Sequence, residues 1–569
     1  MPDAPTADAP DKPPHSMKET IISLIIAFIF AFVFRGFVVE AFVIPTGSMA
    51  PTLLGQHVRF QSPESGEIWT VDPWEKNAAG APAPIQGRNQ TLTVTDPMTG
   101  AQVGRELPDS LGRNRKLMSG DRIFVLKYLY SIFDPARFDV VVFKYPGPPG
   151  RMEDVGEQEN YIKRLLGLPS EEIALVDGDI FHRPSLASPG ALTQSDWSDG
   201  AWEIARKSER TQRELWQPIY DSRSAPLDPE RNLRRWFRDP WLGRTAAGEP
   251  DGAWQIQDRR SYVYEGSGRT VLAWDEIAWP IDDRYAYNES PGAPTRGPLG
   301  PRQARRVFPV SDIRVAAGIE PEQAGMAAAV VLEARGHEFR ADIDGARIQL
   351  RMRPIGEAGS GEWRTLGETA RTGAFRAGEV TNVEFWHVDQ SVQVWIDGDL
   401  AAEASYAWSP ALRVEHATGR SAEGLLAPPE QGNPLSNREI YRAPKVRWEF
   451  EGSPFTMHRV RLDRDLYYQP GVYNPGFTRA GEPALATHPS QPLVLGRDQF
   501  FVCGDNSPNS LDGRLWDTPD PWVYSEIDGT MGVVPRDLLI GKAFFVYFPS
   551  VHKEHRVPVP DVGRMRFIW

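Results

Sequence analysis

Ser48 lies in the stretch Ala41-Phe42-Val43-Ile44-Pro45-Thr46-Gly47-Ser48-Met49-Ala50-Pro51-Thr52-Leu53-Leu54, which follows directly on a long apolar segment. Pro45 fixes its own φ, and Gly47 lets the backbone pass close to whatever lies over it, so the Ser48 hydroxyl is expected at an exposed bend. A serine hydroxyl is a weak nucleophile until a base within hydrogen-bond reach takes its proton. No histidine stands in a persuasive context for that task, and the candidate base is Lys163, in Glu159-Asn160-Tyr161-Ile162-Lys163-Arg164-Leu165-Leu166-Gly167-Leu168-Pro169. A lysine amine, with an ordinary pKa near ~10.4, is protonated at neutral pH and serves as a base only if burial destabilises its charge. Tyr161, Ile162, Leu165 and Leu166 are expected to give apolar surroundings, with Arg164 turned to the other face as strand alternation requires.

Four boxes stand in order along the chain: the serine stretch, Asp139-Val140-Val141-Val142-Phe143-Lys144-Tyr145-Pro146, the Tyr161-Ile162-Lys163-Arg164 run, and Gly504-Asp505-Asn506-Ser507-Pro508-Asn509-Ser510-Leu511-Asp512-Gly513-Arg514. Together they resemble the boxes of the bacterial type I signal peptidases (leader peptidases), and the remainder of the chain is insertion. The resemblance implies a Ser48/Lys163 dyad, with the Ser48 amide and the Thr46 hydroxyl stabilising the oxyanion. It implies that Ser510 hydrogen-bonds and orients the lysine, and that Asp512 and Arg514 form a structural ion pair beneath the site. It further implies that Ile44, Met49, Leu53, Tyr161, Ile162 and Leu511 line shallow pockets for small side chains at the −1 and −3 positions of a signal peptide, while segment 42–48 pairs with substrate by strand addition. Three positions depart from the family pattern: Phe138 and Ser170 stand where glycine is usual, and Gly513 where serine is usual.

The elements that must position these groups read as mostly β. Runs of β-branched and aromatic residues at Ser119 to Tyr128, Phe138 to Tyr145, Tyr161 to Leu166, Phe500 to Cys503 and Ile540 to Phe548 are expected to be strands of a signal-peptidase-type catalytic core. Residues 1–19, rich in Pro, Asp and Ala, read as a disordered tail. The apolar run over 20–43 reads as one transmembrane helix, which would set Ser48 at the membrane surface. The catalytic domain is expected to be split between 44–180 and 495–552, with an insertion at 55–118. Between the halves, 181–307 reads as irregular β-rich chain, 308–468 as a β-sandwich, 469–494 as a linker, and 553–569 as a C-terminal tail. Val383 to Val388 and Val392 to Ile396 alternate with period two and are followed by the turn pair Asp397-Gly398, and this passage is similar to concanavalin-like or laminin-G-like domains. Trp386, Trp395 and Trp448 are expected to be core aromatics rather than sugar platforms, and His387 and Asp397 a strand and a turn residue rather than a metal site.

Composition narrows the function. A net charge of -13 over 569 residues excludes nucleic acid as a partner, because phosphate binding needs a basic face. A single cysteine, Cys503, excludes an internal disulfide and a cysteine-based zinc site, and the residue reads as a small buried strand side chain. The expected activity is signal-peptide cleavage by a serine endopeptidase using no metal and no cofactor. Its partners would be preprotein signal peptides and membrane lipid, with a glycan or protein ligand open to the sandwich. The resemblance places the protein in the bacterial inner membrane as a single-pass protein with its catalytic domain outside the cytoplasm. Two other readings compete: a membrane-anchored glycan- or protein-binding scaffold on an inactive peptidase core, and a LexA-like self-cleaving peptidase.

Overall fold

The computed structural model describes residues 17–33, 38–62, 65–72, 74–76, 82–84, 91–100, 102–106, 117–148, 159–226, 239–257, 260–288, 307–356, 359–371, 373–550, 552–554, 557–559 and 561–569. Of the tail expected over 1–19, residues 1–16 lie outside this set. The architecture is mostly β. The half of the fold that carries Ser48 and Lys163 is built on one eight-stranded sheet. The strands are β1 (Val39–Val43), β2 (Arg122–Leu126), β3 (Val140–Lys144), β4 (Asn160–Gly167), β5 (Gln499–Cys503), β6 (Val534–Pro535), β7 (Leu539–Phe548) and β8 (Arg566–Phe567). They lie in the order β1-β2-β7-β3-β4-β5-β6, with β8 added along β7. Valine, isoleucine and phenylalanine fill these strands because stiff branched and aromatic side chains suit a pleated surface packed on both faces. Ile123, Val125, Val140, Val142 and Val546 form one apolar layer and Val141, Phe143, Leu165, Phe500 and Val502 the other.

The N-terminus departs from the sequence reading. Helix α1 (Met17–Val33) has 17 residues, and Val39–Val43, expected as its continuation, is the edge strand β1, antiparallel to β2 with Phe42 opposite Ile123. Among the described residues no helix is long and apolar enough to cross a membrane. Short apolar runs suit helix and strand alike, and here pairing with β2 decides between them. Ile21, Leu24, Ile25, Phe28 and Ile29 of α1 are exposed.

The segment after β4 folds into a small sheet ordered Glu203–Ile204, Asp179–Pro184, Glu171–Val176, Leu493–Val494. Beyond it lies a two-sheet sandwich, each sheet eight-stranded and antiparallel, with one continuous core that includes Trp448, Phe385 and Leu332. Its strands begin well before residue 308. Gln217–Asp221, Trp254–Gln257 and Ser261–Tyr264 join one sheet, and Trp241–Thr245 and Thr270–Trp274 the other, so much of the supposed irregular segment is sandwich. Asp389 and Gln390, both at positive φ, make the tight turn joining Thr381–Val388 to Ser391–Ile396. Trp386, Trp395 and Trp448 are buried. His387 is a fully buried strand residue, its ring nitrogens 2.9 Å from the Ser311 carbonyl oxygen and 2.8 Å from the Tyr406 hydroxyl, and burial brings its pKa down to about 3.

Two segments expected as loose chain are packed. Within 469–494, Ala486 and Leu493 join a core cluster with Leu166, Phe501 and Cys503. Within 553–569, β8 pairs with β7 and Ile568 packs in the apolar layer with Ile123 and Val142. In the first insertion, His57–Gln61, Ile68–Val71 and Leu117–Met118 form a three-stranded sheet over Val58, Phe60 and Trp69.

Candidate active site

Strand β4 carries Lys163 on one face and Arg164 on the other. Tyr161, Lys163 and Leu165 point one way and Ile162, Arg164 and Leu166 the other, with Val141 of β3 opposite Lys163. Only Tyr161 and Leu165 therefore shield the lysine from its own strand. Tyr161 stacks on Tyr145 at 4.4 Å between ring centroids, and the Lys163 Nζ lies 5.6 Å from the Tyr161 ring. Ser48 occupies a single 3-10 turn, Gly47–Met49, closed by the Ala50 N–H donating to the Gly47 carbonyl at 3.0 Å. Gly47 is required there, since a Cβ would fall 2.1 Å from the Tyr287 ring.

The structure brings Ser48 and Lys163 together: Nζ lies 2.6 Å from Ser48 Oγ. Lys163 is 4% exposed, and burial brings its pKa down from 10.5 to about 8 against the opposing pull of the Asp512 carboxylate. A neutral amine beside a hydroxyl can accept its proton, which is the chemistry a histidine performs in the commoner triad. Thr46 is exposed and makes no capping hydrogen bond, so its hydroxyl remains available to a ligand.

Asp512 and Arg514 form a buried pair, Arg514 Nε and Nη2 donating to the two carboxylate oxygens at 2.9 and 2.8 Å. Asp512 also accepts from the Gly504 N–H at 3.0 Å, and the arginine holds its pKa below the usual carboxylate range. Ser510 lies beside the site, where a Cβ on Gly504 would meet both Ser48 O and Ser510 Oγ at 2.4 Å. Its buried hydroxyl has no hydrogen-bond partner among the described residues, so the expected bond to Lys163 is not made. Cys503 is fully buried, and its thiol is pushed well up by burial.

The expected substrate pockets divide. Ile44, Met49 and Leu53 are at most 2% exposed and pack in the core with Ile123 and Val142, so they are core rather than open lining. Tyr161 and Ile162 are half-buried, and Leu511 is 43% exposed. The outer edge of β1 carries no strand partner among the described residues, and Val43 on it is 55% exposed.

Other residues of the site were given no role in the sequence reading, and Arg164 was expected only to turn to the other face, as it does. Arg164 donates from Nε and Nη2 to Asp505, both at 2.7 Å, and from Nη1 to the carbonyls of Phe138 and Trp569. Thr52 donates to the same carboxylate at 2.6 Å. The Asn506 N–H donates to the Ser48 carbonyl at 3.0 Å and its Nδ2 to the Gly47 carbonyl at 2.9 Å. Asp505 and Asn506 stand inside the last box, where their signal was available. A separate cluster, Asp179, Asp312, Asp389 and Asp465, has the ligand atoms of a cation site, but the Lys207 ammonium already reaches it, 2.5 Å from Asp389 and 2.9 Å from Asp465.

A model of the family described as "Signal peptidase, peptidase S26" matches residues 109–183 and 476–548. The first stretch contains Lys163 and the second the Ser510 to Arg514 box. No curated protein matches the chain. Among solved structures the chain is similar to the carbohydrate binding module CBM66 from Bacillus subtilis, at 7% identity and TM-score 0.22, covering 39% of this chain and 95% of that one. It is also similar to sheep galectin-11 in complex with glycerol, at 11% identity and TM-score 0.17, covering 27% and 90%.

Proposed function

We propose that this protein is a serine endopeptidase that removes signal peptides from exported preproteins, with Ser48 as nucleophile and Lys163 as general base. The observation that carries the reading is a buried amine, its pKa brought down to about 8, lying 2.6 Å from a serine hydroxyl. The match to the signal peptidase family over residues 109–183 and 476–548 supports the substrate class.

In this reading the substrate lies extended along the free edge of β1, backbone to backbone. Lys163 takes the hydroxyl proton as Ser48 Oγ attacks the scissile carbonyl. The Ser48 N–H and the Thr46 hydroxyl donate to the oxyanion, each worth a few kcal/mol in the transition state. The tetrahedral intermediate collapses as Lys163 returns the proton to the leaving amine, and an acyl-enzyme on Ser48 remains. Water activated by the same amine hydrolyses it. The Asp512–Arg514 pair supports the turn beneath the amine. Tyr161, Ile162 and Leu511 are the side chains within reach of the substrate.

The apolar, exposed face of α1 attaches the protein to the bacterial inner membrane, with the catalytic domain on the extracytoplasmic side, where a signal-peptide cleavage site emerges. Removing residues 1–34 is expected to shift the protein from the membrane to the soluble fraction. A reporter fused after Ser550 that works only in the cytoplasm would overturn the orientation. Preprotein cleavage by wild type, Ser48→Ala and Lys163→Met tests the reaction itself.

A further inference from the structure

The Ser48 turn is held from behind by residues of the inserted domain. After the sandwich strand Thr270–Trp274 the chain runs through an arch, 282–288, that reaches the catalytic half. Asn288 and Asn506 form a reciprocal amide pair: Asn288 Nδ2 donates to Asn506 Oδ1 at 2.6 Å, and Asn506 Nδ2 donates to Asn288 Oδ1 at 2.7 Å. The same Asn506 holds both carbonyls of the nucleophile turn, those of Gly47 and Ser48. The Tyr287 ring lies where a Gly47 Cβ would be, and its hydroxyl donates to the Gln56 carbonyl at 3.0 Å. Tyr285 donates to the Asp505 carbonyl at 2.9 Å, next to Asn506. The arch is fastened to the sandwich in turn. Arg464, at the end of strand Phe455–Arg464, donates to the Arg284 carbonyl at 3.0 Å and lies 4.4 Å from the Tyr285 ring.

We infer that Asn288 and Tyr287 are positioning residues for Ser48, so that the sandwich domain braces the nucleophile against the base. The inference rests on the proposed Ser48/Lys163 chemistry. Ser48 sits on one 3-10 turn, too short to fix its own orientation, and the Asn506 that holds its carbonyls is itself held by Asn288 of the insertion, with the Tyr287 ring against Gly47. Behind the arch lies a cavity of about 450 Å³, lined by Tyr285, Ala286, Tyr287, Pro51, Leu54 and His57. Truncating Tyr287 gives the turn room to sag into this space instead of closing the gap. A displacement of about 1 Å at a nucleophile costs on the order of 100-fold in rate while leaving substrate binding on the β1 edge intact.

The test uses full-length protein with two readouts. In the first, Asn288→Ala and Tyr287→Ala are expected to lower kcat about 10- to 100-fold with KM within about threefold, the signature of lost transition-state positioning. Tyr287→Phe keeps the ring on Gly47 and is expected to stay within about twofold of wild type. In the second, Ser48→Cys reports the geometry without any turnover. A thiol facing the Lys163 amine should alkylate with a midpoint at least about one pH unit below the ordinary ~8.5. Adding Asn288→Ala or Tyr287→Ala should return that midpoint toward ~8.5, with the labelled site read by mass spectrometry. If Asn288→Ala does not fold, Asn288→Asp keeps the acceptor for Asn506 and loses the donor, and an intermediate shift is expected. Wild-type kcat and an unshifted thiol midpoint in the folded arch variants would overturn the brace. A wild type without peptidase activity would instead overturn the proposed function, and the thiol readout would still decide the brace.

Discussion

Arg164 and Asp505 form a bidentate ion pair with both side chains fully buried, one residue along β4 from the amine of Lys163. Neighbouring cations on one strand thus meet opposite fates. Lys163, facing an apolar wall and a hydroxyl, tends to lose its proton; Arg164, on the far face, keeps its charge against a carboxylate. The pair ties β4 to the last box, and through Asp505 to Thr52 on the serine segment.

Asp505→Asn removes one charge and leaves the Arg164 guanidinium buried without its counter-ion. A loss of about 3–5 kcal/mol is expected in chemical denaturation, because an uncompensated buried charge costs more than the pair contributes. A loss below about 1 kcal/mol would mean that the pair is solvated in solution.

The amine of Lys163 sets a pH dependence whose sign follows from its lowered pKa. Below about 8 it is protonated in both folded and unfolded chains, and burying the charge costs stability in full. Between about 8 and 10.5 the folded state has already released the proton while the unfolded chain has not, so stability rises with pH. Lys163→Met should therefore melt above wild type at pH 7, by roughly 3 kcal/mol, with the gain fading toward pH 10.5. Peptidase activity of wild type should rise through the same midpoint, at about pH 8.

The three departures from the family pattern each have a backbone reading. Ser170, where glycine is usual, is exposed at φ 63, a left-handed conformation that costs a residue with a Cβ about 1 kcal/mol. Ser170→Gly should raise stability by about that amount in a denaturant melt. Gly513, where serine is usual, passes close to the Gly532 carbonyl, which a Cβ would meet at 2.6 Å. Gly513→Ser should cost about 1–3 kcal/mol in the same melt. Phe138 shares the positive φ, at 72, but its ring is buried, so Phe138→Gly should destabilise.

Ser510 and the apolar residues near the turn separate packing from function. The Ser510 hydroxyl is buried without a partner, so Ser510→Ala should leave the activity midpoint in place and stability unchanged or higher by up to about 1–3 kcal/mol. Ile44→Ala should destabilise by about 2–5 kcal/mol and leave product N-termini unchanged, since Ile44 is core. Ile162→Ala, at a half-buried position, should relax the choice of cleavage site, read by sequencing product N-termini.

Much of the half that carries Ser48 and Lys163 was legible in the sequence. Its strands alternate or run apolar with clear turn residues between them, and β3, β4, β5 and β7 fall where the composition places them. The meeting of Ser48 and Lys163, 2.6 Å apart, was implied by the resemblance of the boxes to the signal peptidase family. Other features had no local signal. Val39–Val43 continues an apolar run, and only pairing with Arg122–Leu126 makes it a strand. The strands between Gln217 and Trp274 are short; Trp241–Thr245 and Trp254–Gln257 pair within the segment, and the partners that join it to the two sheets lie in the later strands Lys445–Glu451 and Phe455–Arg464. Ile44, Met49 and Leu53 have the size and polarity of pocket residues and of core residues equally, and burial alone divides them. The arch was invisible because Tyr287 and Asn288 act on residues more than 200 positions away in either direction.

The central claim is tested most directly by preprotein cleavage with wild type, Ser48→Ala and Lys163→Met, read by sequencing the product N-terminus. The expected result is cleavage at the signal-peptide junction by wild type and none by either variant, with both variants folded and Lys163→Met at least as stable as wild type at pH 7. Processing by either folded variant at the wild-type rate would contradict the Ser48/Lys163 chemistry.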